Sequence, residues 1–120
     1  MELSKYQKHA METCVPESNN PLYMLMEIGE EVGELQGKFS KAIRKGKIVF
    51  FNNVMIDDMK DEERVEFDEL VKKEIGDVLW GLSGLCSVLD WDLGEIAQMN
   101  LDKLADRKNR KVIVGNGDKR

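Results

Sequence analysis

The feature that most constrains this chain is a strongly helical pattern that occurs twice, each time with an acidic pair set into it. Glu31 and Glu34 stand one turn apart in MEIGEEVGEL, and Glu74 and Asp77 stand likewise in KKEIGDVLW. Residues three apart share one face of an α-helix, so each pair presents two carboxylates on one side. If the two helices pack together, four oxygen donors converge. Such a group repels itself unless a cation sits within it, and hard divalent ions such as Mg2+ prefer oxygen ligands. A metal site of this composition points to phosphate chemistry. A single Glu-x-x-Glu would be only a solvated acidic face; two pairs on two core helices are a stronger signal.

The rest of the chain supplies more helices. A short one is expected from Leu3 to about Thr13, followed by a loop around Pro16 and Ser18 to Asn20. Asn20 before Pro21 is a start signal, a side-chain cap ahead of proline in the first helical position. The helix it opens carries Leu25, Ile28, Val32, Leu35 and Phe39 at alternating spacings of three and four, a seam expected to bury against a partner. Gly46 is its expected stop. IVFF and VMI then flank Asn52-Asn53 as either a small hairpin or, the favoured reading, a partly ordered loop. A long helix follows from near Asp61 to about Leu89, with a seam of Val71, Ile75, Val78, Leu82, Leu85 and Leu89. Asp90-Trp91-Asp92 breaks it. Asp92 with Glu95 resembles a capping box that starts a last helix, running to about Lys108. The fold class is therefore all-α, four-helix-bundle-like, with an irregular or hairpin arm around residues 47–57.

Composition bounds the function. A chain of 120 residues is one domain, 1–120, with apolar content of 42%, enough for one modest core. Its formal net charge of -5 argues against a nucleic-acid duplex as partner, since that calls for a basic face. The first residues form no apolar leader, and no apolar run approaches the ~20 residues that span a bilayer. Cys14 and Cys86 make no disulfide framework, and Cys86 in an apolar helix reads as a buried thiol. The expectation is a soluble, cytoplasmic protein without a membrane partner.

Three further features bear on a site. Gly29, Gly33 and Gly37 recur every fourth residue away from the Leu25–Phe39 seam, a candidate second interface. Glu31 and Glu74 lie beside the seams, with Glu34 and Asp77 further round; Glu27 and Lys38 share the first stripe. In the last helix Asn100, Lys103 and Arg107 fall on one stripe. Asn100 is expected on the apolar face, where an amide needs a partner, and the two cations suit phosphate oxygens. Pairing with Asp102, Asp106 or the acidic cluster is the alternative. Tyr6, His9 and Trp80 are weak candidates for contacting a base. His9 is a lone histidine of the kind more often structural, and Trp80 lies off the seam.

In this order the residues resemble a MazG-type nucleotide pyrophosphohydrolase of the all-α NTP pyrophosphatase superfamily. The resemblance is carried by Tyr6-Gln7, Glu31-x-x-Glu34 with Lys38 and Lys41 after it, Glu74-x-x-Asp77, and Asn100-x-x-Lys103-Leu104-x-x-Arg107. The ending VIVGNGDKR is similar to a Gly-x-Gly-Asp-x-Arg tail found in a MazG-like subgroup, here Gly115, Gly117, Asp118 and Arg120. Lys111 and Asn116 depart from the expected glycine and serine, and the segment between Glu34 and Glu74 is longer than in the most compact members.

The resemblance implies Mg2+, with Mn2+ as a substitute, held by Glu31, Glu34, Glu74 and Asp77. It implies hydrolysis of a nucleoside triphosphate to the monophosphate and pyrophosphate, with Glu34 nominated as the base. Lys38, Asn100, Lys103, Arg107 and the tail, 111–120, would contact phosphates, the tail as a candidate lid. A homodimer or a dimer-of-dimers tetramer is expected. The alternatives are a dUTPase, a phosphoribosyl-ATP pyrophosphohydrolase, or a non-enzymatic helical metal-binding or dimerisation module.

Overall fold

In a computed structural model covering residues 1–120, four helices and one hairpin follow in order. Helix α1 (Leu3–Ala10) runs into 3-10 turns at Met11–Thr13 and Pro16–Ser18. Helix α2 (Pro21–Arg44) leads to strands β1 (Ile48–Phe51) and β2 (Val54–Asp57), then to helices α3 (Asp61–Val88) and α4 (Leu93–Asn109). The all-α reading holds, with one small hairpin added.

The helix boundaries follow local chemistry. The Asn20 side chain accepts from the Tyr23 N–H at 2.8 Å, with Pro21 in the first turn. The Asp92 carboxylate caps α4 by accepting from the Glu95 N–H at 3.1 Å. Three helices end in the same way, on a residue of positive φ that turns the chain back. Lys47 N–H donates to Ala42 O past Gly46, Trp91 N–H to Cys86 O past Asp90, and Val112 N–H to Arg107 O past Lys111. Glycine is the residue this turn favours, and only Gly46 supplies it. Asp90 and Lys111 sit at φ 59° with a side chain attached.

The arm around residues 47–57 is a hairpin and not a loop. Asn52 and Asn53 both take positive φ, 47° and 64°, which a two-residue hairpin turn requires and which asparagine tolerates better than most residues. Ile48 pairs with Asp57, Val49 with Ile56, Phe50 with Met55 and Phe51 with Val54.

The core lies between α2 and α3, which run back along each other and make the most extensive contact in the chain. Gly81 and Gly84 of α3 let them approach: a Cβ on Gly81 would lie 2.9 Å from Ile28 Cγ1, and one on Gly84 would collide with the fully buried Met24. Phe39 and Phe67 close the other end edge to face, with ring centroids 5.3 Å apart. The Gly29, Gly33 and Gly37 row faces open space: a Cβ added at any of the three would meet nothing within 4 Å. The seams are only partly covered, since Leu25, Val32, Ile75, Leu82 and Leu89 stay exposed.

Helix α1 is tied across the far end. Gln7 is buried and engaged at both ends, donating to Ser87 Oγ and Trp91 O and accepting from Leu93 N–H at 2.8 Å. Helix α4 packs more on α1 than on α3. Only 12 of 120 residues are buried, and the accessible surface is 9109 Å². A compact monomer of this mass exposes about 6,600 Å², so roughly 2,500 Å² is in excess. The radius of gyration, 17.8 Å, exceeds the roughly 13.6 Å of a compact domain of this length.

Candidate metal centre

The antiparallel α2–α3 layer brings the two acidic pairs together. Glu31, Glu74 and Asp77 each offer a carboxylate oxygen, and the three oxygens lie within 4.8 Å of one another. Glu34 stands at the edge of this group: it is exposed, and it lies close enough to Glu74 to feel its charge. Glu74 is buried, Glu31 half-buried and Asp77 exposed, so the cluster is sunk at one side and open at the other.

Its charges are unbalanced. Burial, then a hydrogen bond with Glu27, then the neighbouring Glu34 charge push the Glu31 carboxyl up to about 7. The Glu74 charge, burial and Glu30 likewise hold Glu34 above the ordinary carboxylate range. One cation enters the group, Lys38, with Nζ 3.4 Å from Glu74 Oε1. Two oxygens, Glu31 Oε2 and Glu74 Oε2, are buried with no hydrogen-bond partner. An orphaned buried acceptor is costly, and two of them on carboxylates that also repel one another suit a hard divalent cation, which takes several oxygen ligands.

Glu27 and Glu30 stand beside the cluster in addition to the expected site residues. The signal for them is present in the sequence, because each precedes a cluster glutamate by four residues, and like charges at that spacing repel. Tyr6 of α1 reaches the same region. Burial and then the Asp77 charge raise its phenol above its usual value.

The α4 cations are arranged differently. Lys103 Nζ and Arg107 Nη2 both lie 2.9 Å from Asp118 Oδ1. The Arg107 side chain is almost fully buried, while that of Asp118 is 80% exposed. Both cations hold the Asp118 carboxyl below the usual range. Arg120 folds the tail back by donating to Val112 O, Gly117 O and Ile113 O. Gly117 takes a positive φ of 75° in that turn, and Gly115 packs under the Arg120 side chain. The tail is thus a closed knot on the end of α4. The partner of Lys103 and Arg107 is the tail, not Asp102, Asp106 or the acidic cluster. Asn100 is exposed and needs no buried partner there.

The base-contact candidates are placed as follows. Trp80 donates its indole N–H to Ala10 O at 3.2 Å and Thr13 Oγ1 at 2.9 Å, so it anchors the end of α1 to α3. His9 lies on the surface, 3.3 Å from Glu12. Tyr6 alone of the three stands beside the cluster.

Comparison with known proteins shows the family of the chain. The family model of the MazG nucleotide pyrophosphohydrolase domain matches residues 19–112, which contain both acidic pairs and the α4 stripe. The chain is 34% identical over 98 residues to the Gene 37 protein of Mycobacterium phage L5, a match covering 82% of this chain and 75% of that protein. No solved structure matches.

Proposed function

Because the chain belongs to the MazG nucleotide pyrophosphohydrolase family, we propose that it hydrolyses a nucleoside triphosphate to the monophosphate and pyrophosphate, using Mg2+ or, in its place, Mn2+. The observation that carries this reading is the pair of buried, unpartnered oxygens on Glu31 and Glu74 within the three-carboxylate group. Glu31, Glu74 and Asp77 would hold the cation, with Glu34 completing the set from the open side. A cation held there supplies charge neutralisation and makes a bound water more acidic.

The chain's own groups do the rest. Glu34, exposed at the rim with its carboxyl raised by Glu74, would accept a proton from water. Lys38, already facing Glu74, would steady charge on the phosphates. Lys103 and Arg107 would take the leaving pyrophosphate by exchanging the Asp118 carboxylate for phosphate oxygens. Asn100 and the tail residues Gly115, Gly117, Asp118 and Arg120 would frame that exchange, and Tyr6, His9 and Trp80 remain the weak candidates for the base. The reading treats residues 1–120 as one domain working in the cytoplasm as a homodimer or a dimer of dimers. The excess surface of the single chain supports such an assembly. No helix is long and apolar enough to cross a membrane.

The test is product analysis with a panel of nucleotides and Mg2+. Glu34→Gln and Asp77→Asn should abolish pyrophosphate release with the helical circular dichroism unchanged. Undiminished hydrolysis in both would end the assignment. Release of orthophosphate alone would contradict the bond proposed to break. A panel cleaved only at dUTP or phosphoribosyl-ATP would narrow the enzyme to those specialised hydrolases.

A further inference from the structure

The β1–β2 hairpin is built like a strand pair meant to be covered on both sides. Directly paired residues share a face, so the register puts Ile48, Phe50, Met55 and Asp57 on one face and Val49, Phe51, Val54 and Ile56 on the other. The first face meets the protomer at Ile48, which is buried. The second is wholly apolar, and all four of its residues are more than half exposed. Neither outer edge of the two-stranded sheet is paired. An isolated hairpin is marginal in water, and an exposed apolar edge invites association.

We propose that this hairpin is an intersubunit arm, its Val49–Phe51–Val54–Ile56 face seated on a second copy of this chain. Two observations select a second copy as the occupant. The single chain exposes roughly 2,500 Å² beyond a compact monomer, so two copies could bury up to about 5,000 Å² in all, within the class of obligate homodimers. The second is the uncharged run at residues 48–56, where two chains of net charge -5 can meet with little direct charge repulsion. The same chain exposes apolar positions on α2 and α3 that could receive the arm, among them Leu25 and Ile75. The inference does not depend on the chemistry of the carboxylate site.

The test uses the full chain at micromolar concentration. Phe51→Lys with Ile56→Lys changes only exposed positions of the protomer. It should lower the sedimentation mass to half the wild-type value or less while the helical circular dichroism stays unchanged. In parallel, a photoreactive phenylalanine analogue at position 51, in a mixture of isotopically heavy and light chains, should give cross-linked peptides joining one heavy and one light chain. If the double variant unfolds, the cross-link decides alone. A wild type that sediments as one chain, a folded double variant of wild-type mass, or cross-links confined within a chain would each overturn the proposal. Loss or retention of pyrophosphate release would not affect it.

Discussion

Two charged clusters in this protein are built on opposite principles. The α2–α3 cluster gathers like charges against one lysine, leaves two buried oxygens without partners, and pushes a carboxyl up to about 7. The α4–tail cluster gathers two cations on one carboxylate and folds the chain around them, and that carboxyl is held low. One is left incomplete by the protein and the other completes itself. Unpartnered buried carboxylate oxygens suit a divalent cation, and the proposed chemistry therefore falls on α2 and α3. In the tail knot an internal carboxylate occupies the position proposed for a phosphate.

The difference can be broken by experiment, and the largest effect belongs to the first cluster. Asp77→Asn or Glu74→Gln should lower Mg2+-dependent pyrophosphate release by a hundredfold or more, on the order of 3 kcal/mol in the barrier, read as initial rates at saturating nucleotide. Retained rates would make the carboxylate group a surface feature.

Next comes stability, where the clusters should respond with opposite sign. Asp118→Ala leaves the buried Arg107 guanidinium without its carboxylate. It should lower the melting temperature by a few degrees, because a buried charge that loses its partner is costly. Glu31→Gln should instead raise the melting temperature of metal-free protein at pH 8, because it removes a charge that the folded state disfavours. Shifts of the same sign would erase the distinction.

The pH dependence sharpens it further. The Glu31 carboxyl is raised from 4.5 to about 7 on folding, so between those values the native state binds more protons than the unfolded one. Stability of the metal-free protein should therefore fall as pH rises through that window. The Asp118 carboxyl is lowered from 3.8, so its contribution is present above that value and is lost as pH falls through its depressed one. Melting curves without metal, compared between wild type and Glu31→Gln from pH 4 to 8, should converge at the acid end and separate toward pH 8. Parallel curves would remove Glu31 from the account.

The smallest effect concerns the knot's entry. Lys111 holds φ 59° where the family resemblance leads one to expect glycine. Lys111→Gly should stabilise by about 1 kcal/mol, measured by urea denaturation.

Much of this was legible in the residues. Asn20-Pro21, Gly46 and Asp92 marked helix ends because capping is local chemistry, and the paired acids announced a cluster because helical spacing puts them on one face. What stayed hidden was set by distant contacts. The free space around Gly29, Gly33 and Gly37 and the tight packing at Gly81 and Gly84 depend on which faces of α2 and α3 meet. Trp80 is spent on Ala10 and Thr13, and Lys103 and Arg107 on Asp118, through folding of segments that pattern alone does not orient. The hairpin was obscured because Asn-Asn is a weaker turn signal than Asn-Gly.

Calorimetric titration of metal-free protein with Mn2+ at pH 7.5 tests the central claim most directly. Wild type should bind with proton release, because Glu31 is partly protonated there. Glu31→Gln with Glu74→Gln should bind at least a hundredfold more weakly, and Asp118→Ala should bind as wild type does. Equal binding by all three proteins, or none by wild type, would contradict the account.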